Sequence, residues 1–260
     1  MAEPTHDEHY VPQMYLKRFA VGKTCQVLDK YGNIKPKSVK GLCYENNLYE
    51  FTSEQGKVVY QNLYEKELFH KLETDYNGYF DKFIEVLDNK ADFNAYMDEN
   101  NTKLLMIWMT SMLLRNAAVM GLTKEIGAEI GIEWTDAQSR NNAILHNTTL
   151  IEHCAEKLYK THKVIVFENN SDISFVTSSF PVLIIPSANK LQSWVMPLTD
   201  MYIVLLTDKG NKDMTANSVI PVKLPVVDFY NKLMVRNELS RYTISKERKS
   251  LERYKHLCKG

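Results

Sequence analysis

Glycine and proline are scarce in this chain: 10 and 8 residues, or 18 of 260. That is about 7%, against roughly 12% in average usage. Few flexible linkers are available, and a collagen-like repeat or a Pro/Gly-rich disordered chain is excluded. Cysteine is also sparse. Cys25, Cys43, Cys154 and Cys258 include no CxxC pair, and four in a chain of this length favour structural thiols over a disulfide framework. The start, MAEPTHDEHY, has no apolar signal-peptide core, so the expected location is cytoplasmic. The longest apolar run, LLMIWMTSMLL over Leu104–Leu114, stops at Arg115. It is far short of the roughly 20 residues a bilayer needs, and reads as a buried core helix with no membrane role. No GxGxxG or GxxxxGKS/T loop and no GxSxG elbow occurs, which excludes the common phosphate cradles and an α/β-hydrolase site.

Net charge is also lacking, with 32 basic and 32 acidic residues, but its distribution is uneven. Residues 17–40 hold seven Lys/Arg against Asp29 alone, and residues 236–260 hold eight against three acids. The middle, 41–235, carries 17 basic and 25 acidic residues. If the two basic ends fold side by side they form a positive face for a polyanion; otherwise they are ordinary solvated surface. Hydrophobic content of 44% is globular usage, and the length suffices for one large domain with a real core.

Three blocks make up that domain: a strand-rich part to residue 61, a helical part over 62–160, and strands then helices over 161–260. Strands are expected at Cys25–Tyr31 and Ile34–Val39 around a Gly32-Asn33 turn, then at Leu48–Phe51 and Lys57–Gln61. Leu68, Leu72, Tyr76, Phe80, Phe83 and Leu87 recur every three or four residues and predict a helix over 63–88. A second helix starts at the Asn101-Thr102 cap and runs to about Gly121, and a third follows Thr135-Asp136. Short Val/Ile-rich segments at Lys163–Phe167, Ile173–Val176, Val182–Ile185, Trp194–Pro197 and Tyr202–Leu206 predict an antiparallel sheet. Helices over 225–241 and 246–257 close the chain. The fold class is therefore α+β, with antiparallel strands from both ends around a central helical layer.

The densest motif is His9-Tyr10-Val11-Pro12-Gln13-Met14-Tyr15-Leu16. A His before an extended Val-Pro step is held at a strand edge, where it serves as acid, base or ligand, or pins the N-terminus to a backbone group. Neither reading excludes the other. HYVPQMYLKRFA resembles the opening signature of a bacterial family, domain of unknown function 4238 (DUF4238). ENNLYEF, KELFHKLETDY, SMLLRNAA, SFVTSSFPVLI, VMPLTDMYIVLLT and YNKLMVRNELSRYTIS are similar to the family's later segments, in order and rough spacing, over most of the chain. The resemblance nominates His9, Tyr15, Glu73, Arg115 and Asn231. It also marks a departure: where the family usually has Thr-Ser-Asp-x-Pro, this chain has Thr177-Ser178-Ser179-Phe180-Pro181, making Ser178 and Ser179 candidate binding residues.

Arg115 is the hardest of these to read as packing. A guanidinium in an apolar helix must meet a carboxylate, carbonyls or an anionic ligand. One reading pairs it with Glu73 to tie two helices; the other makes it a bidentate phosphate clamp beside His9 as acid–base. His146 and His153, two helical turns apart, suit a surface face better than one metal. A ββα nuclease site from His9, Asn62 and His70 lacks the compact spacing of that fold.

Two functions follow. In the first the protein is a nucleic-acid- or nucleotide-directed phosphodiester hydrolase with His9, Glu73 and Arg115 catalytic, its cofactor open with a divalent metal as one option, and a place in phage–host conflict by analogy alone. In the second it is a non-catalytic binding module for a nucleotide-like ligand or a protein, using Tyr15, Ser178, Ser179 and Asn231. The serine in place of aspartate favours the second.

Overall fold

The computed structural model describes residues 7–53, 55, 57–60, 70–129, 133–186 and 191–258. The chain opens with β1 (Asp7–His9) and the single turn α1 (Gln13–Leu16), which starts directly after Pro12. Next come β2 (Thr24–Asp29) and β3 (Ile34–Ser38), an antiparallel hairpin. Its turn is fixed by the Asp29 carboxylate, which accepts the backbone N–H groups of Tyr31 and Asn33 and the Asn33 amide. Gly32 stands in the turn at φ +84°, where a side chain would be strained. Three short strands follow: β4 (Tyr44–Asn46), β5 (Phe51–Thr52) and β6 (Val58–Tyr60).

The helical part comprises α2 (His70–Asp88), α3 (Phe93–Tyr96), α4 (Glu99–Leu114), α5 (Ala117–Glu129) and α6 (Asp136–Thr161). Asp98 caps α4 by accepting the Asn101 N–H, and a reciprocal Thr135–Gln138 capping box starts α6, each satisfying N–H groups a helix start leaves unpaired. After α6 come β7 (His162–Asn169), β8 (Thr177–Ser178), β9 (Leu183–Ile185), β10 (Ser193–Pro197), β11 (Tyr202–Asp208) and β12 (Ser218–Val222). Helix α7 (Leu224–Arg236), β13 (Tyr242–Ser245) and α8 (Arg248–Tyr254) end the described fold.

A five-stranded sheet runs β12-β7-β11-β10-β9 and a four-stranded sheet runs β3-β2-β13-β8. The period of two in β7 and β11 divides their apolar side chains between two cores. Val164, Val166, Val204 and Leu206 join the core that holds Trp108, Met109 and Phe83 of the helices. Ile165, Phe167, Ile203 and Leu205 pack with Val227, Tyr230 and Met234 of α7 and Leu251 of α8. Both faces of this sheet are covered, which explains the unbroken apolar runs Val164–Phe167 in β7 and Tyr202–Leu206 in β11.

The α+β class stands, and the four-stranded sheet draws on both ends of the chain. Several boundaries differ from the sequence expectations. The central helix does not run to Gly121. It ends at Leu114, and a new helix begins at Ala117 because Asn116 Oδ1 accepts the Ala118 N–H in the manner of an N-cap. Arg115 therefore terminates a helix instead of lying inside one. The third-block sheet is not wholly antiparallel, since β12, unforeseen, pairs parallel to β7. Ile173–Val176 is not a strand; the pairing segment is Thr177–Ser178. Leu48–Glu50 lie in a turn before β5. Helix α7 stops at Arg236, freeing 242–245 to pair with β2. Residues 61–69 lie outside the described residues, taking in Gln61 of the expected Lys57–Gln61 strand, Asn62, and the first seven positions of the expected 63–88 helix.

Candidate functional site

Arg115 is 1% exposed at the end of α4. Its guanidinium donates to Glu73 Oε1 on α2 at 2.9 Å, to the His9 carbonyl oxygen at 2.6 Å and to the Tyr49 hydroxyl at 3.3 Å. Tyr49 in turn donates its O–H to the Arg115 carbonyl at 3.0 Å, and its own N–H bonds Glu8 Oε2 at 2.7 Å. One side chain thus joins β1, the loop before β5, α2 and α4. Charge-assisted bonds in a dry setting are strong, which is how a buried cation is tolerated here.

The sequence brings His9, Glu73 and Arg115 together, but Arg115 engages the carbonyl of His9 and not its ring. The His9 imidazole points the other way: Nε2 lies 3.2 Å from the Lys40 carbonyl and the ring packs on Tyr44. An N–H must sit on Nε2 to donate to that carbonyl. Burial lowers the imidazole pKa below its ordinary 6.5, with the Arg115 charge acting the same way and the Lys40 bond and Glu73 opposing. His9 is accordingly neutral and pinned at neutral pH.

The remaining candidates converge on the 176–180 corner. Tyr15 donates to the Pro197 carbonyl at 2.7 Å and receives the Thr177 hydroxyl at 2.7 Å. Asn231 Oδ1 accepts the Val176 N–H at 3.0 Å while its amide donates to the Ser174 carbonyl at 2.9 Å. Ser178 Oγ accepts the Phe180 N–H at 3.1 Å and donates to the Phe180 carbonyl at 2.8 Å. Asn116 reaches the same corner, donating to the Ser179 carbonyl at 2.8 Å. Tyr15, Asn116, Thr177, Ser178 and Asn231 therefore meet at one buried corner. Burial drives the Tyr15 hydroxyl well above the ordinary phenol range. It also pushes the Cys25 and Cys43 thiols up to about 11 and about 12, so neither is a nucleophilic thiolate at neutral pH.

Ser179 leads outward. Its Oγ accepts the Arg241 N–H at 2.7 Å and donates to Ser240 Oγ at 3.1 Å, and Ser240 donates to the Tyr242 carbonyl at 2.9 Å. This relay shapes the 240–242 wall of a 710 Å³ groove at the end of the four-stranded sheet. Leu28, Asp29 and Lys30 of the β2–β3 hairpin, Val235–Glu238 at the C-terminal end of α7, and His256–Cys258 supply its other walls. The sequence reading missed this groove, along with Tyr49, Glu8 and Asn116. The two basic segments were its one visible signal.

Those segments do meet: β13 pairs with β2 over Tyr242↔Asp29 to Ser245↔Gln26, and β2 pairs with β3. Lys30, Lys35, Lys37, Arg236 and Lys255 are exposed, and none makes an ion pair among the described residues. Lys37 Nζ lies 5.6 Å over the Tyr242 ring, on the sheet face that also carries Cys25, Val27 and Ile244. No group of three or more His, Cys, Asp or Glu among the described residues is placed to hold a metal, and no helix among them is long and apolar enough to cross a membrane.

The fold and its buried corner define an α+β protein with two covered sheet faces. The chain belongs to the family described as protein of unknown function (DUF4238), whose profile matches residues 8–246. The turn His256–Cys258 that closes the groove lies beyond the matched residues. No curated protein and no solved structure matches the chain.

Proposed function

We propose that the protein is a non-catalytic module that binds nucleic acid through the basic surface built by β2, β3, β13 and the C-terminal turn. The observation that carries this reading is the register of β13 on β2, which joins the two basic ends in one sheet. Lysines without acidic partners suit phosphates, whose neutralisation releases counterions. Tyr31, 68% exposed at the hairpin tip beside Lys30, offers a ring on which a base stacks.

Binding is favoured over hydrolysis because the nominated catalytic set is engaged elsewhere. Arg115 spends its donors on Glu73, His9 and Tyr49, and the His9 ring is held by Lys40. Ser179 stands where the family usually carries an acid, and it supports a loop. The test is a mobility-shift and product gel with labelled RNA, single-stranded and duplex DNA, with and without Mg²⁺ or Mn²⁺. The reading expects a shifted band and intact strands. Cleavage that disappears in His9→Ala and Arg115→Ala variants that still fold would instead establish the hydrolase.

A further inference from the structure

We infer that the 710 Å³ groove beside the basic sheet receives one nucleotide unit of the bound strand, its base between the walls and its phosphate at the rim. The inference rests on the nucleic-acid reading above and adds a site to it. The volume falls in the usual range for small-ligand sites, about 300–1,000 Å³. Leu28, Val235 and Leu257 give apolar walls suited to a flat ring, while Lys30, Arg236 and His256 give the rim donors for an anion.

Asn237 supplies a recognition element. Its Oδ1 accepts the Leu239 N–H at 3.1 Å, which fixes the amide orientation and makes Nδ2 the donor at its other end. That nitrogen is buried and has no acceptor among the described residues. A buried donor left unpaired is costly, and a ligand acceptor removes the cost. A nucleobase carries such acceptors in its ring nitrogens and carbonyls; inorganic phosphate alone would use only the rim. The lining carries Lys30, Arg236 and Arg241 against Asp29 and Glu238, with Arg241 also paired to Glu45, so the phosphate is placed at the Lys30 and Arg236 side of the rim.

The relay from Ser179 through Ser240 to the Tyr242 carbonyl makes Ser179 a positioning residue for this wall.

The experiment titrates the full chain with adenosine and uridine monophosphates, inorganic phosphate, a glutamate-rich peptide and a single-stranded oligonucleotide. Wild type is compared with Asn237→Asp, which keeps the Leu239 bond and loses the donor, and with Arg236→Glu, should the first variant melt early. The inference expects 1:1 mononucleotide binding, at least about tenfold tighter than phosphate, and a loss of about tenfold in Asn237→Asp, the worth of one good hydrogen bond. Oligonucleotide binding without mononucleotide binding, and with Asn237→Asp at wild-type affinity, overturns the groove site and leaves the nucleic-acid reading intact. Absence of oligonucleotide binding overturns the reading itself. Preferential capture of the acidic peptide overturns both.

Discussion

Replacing Arg115 separates an anchoring role from a ligand-binding one. Arg115→Ala removes three donor contacts, at 2.9, 2.6 and 3.3 Å, and takes the guanidinium away from the Glu73 carboxylate and the His9 carbonyl in a site where Arg115 was 1% exposed. Breaking a buried pair from one side costs about 3–5 kcal/mol, against a total stability of about 5–15 kcal/mol. At roughly 2–4 °C per kcal/mol for a chain of this size, the melting temperature should fall by about 6–20 °C. Glu73→Gln should cost only about 1 kcal/mol, because the Glu73 side chain is 26% exposed and its charge is screened. Thermal melts followed by circular dichroism give both numbers. Arg115→Met, which restores volume without charge, should bind oligonucleotides like wild type wherever it is folded. A melting temperature for Arg115→Ala within about 2 °C of wild type would refute the anchoring argument. So would a stably folded Arg115→Met that has lost oligonucleotide binding.

Three further outcomes follow, two from the buried corner and one from His9. Tyr15→Phe leaves Thr177 and the Pro197 carbonyl short of a partner and should cost about 1–3 kcal/mol by denaturant titration, with binding unchanged. Asn231→Ala strips the Val176 N–H and Ser174 carbonyl of their bonds and should cost more than Tyr15→Phe in the same titration, an order that the reverse result would contradict. For His9, a folded pKa below 6.5 means the unfolded chain binds more protons between the two values, so stability should rise with pH across that window and be lost on acidification. Melting temperatures of wild type and His9→Gln across that range check the sign; equal slopes would remove His9 as the cause.

How much of this was legible in the sequence depended on the range of the interaction. Apolar periodicity placed the middle of α2 and the β7 and β11 strands, because the side-chain period is set locally. It failed at Arg115-Asn116, where a single capping amide divides what reads as one continuous apolar helix. Strand β13 escaped because its apolar residues are few and its pairing partner lies more than two hundred residues upstream, on β2. At the site, the need of Arg115 for a carboxylate was readable from solvation energy, and Glu73 was the right partner. Its bond to the His9 backbone was not, since a carbonyl leaves no mark in a residue's identity. The groove was hidden for the same reason: its walls come from four separated segments, and only the charge imbalance of residues 17–40 and 236–260 pointed there.

The most direct test of the central claim is the affinity for a labelled single-stranded oligonucleotide, read by fluorescence anisotropy across a series of salt concentrations. Wild type should bind with a log–log slope near −3 if about four phosphates are neutralised, at about 0.7 per contact. The double variant Lys35→Glu/Lys37→Glu, altered at two exposed positions of β3, should bind more weakly with a shallower slope. No binding by wild type even at low salt, or binding whose slope the double variant leaves unchanged, would contradict the account.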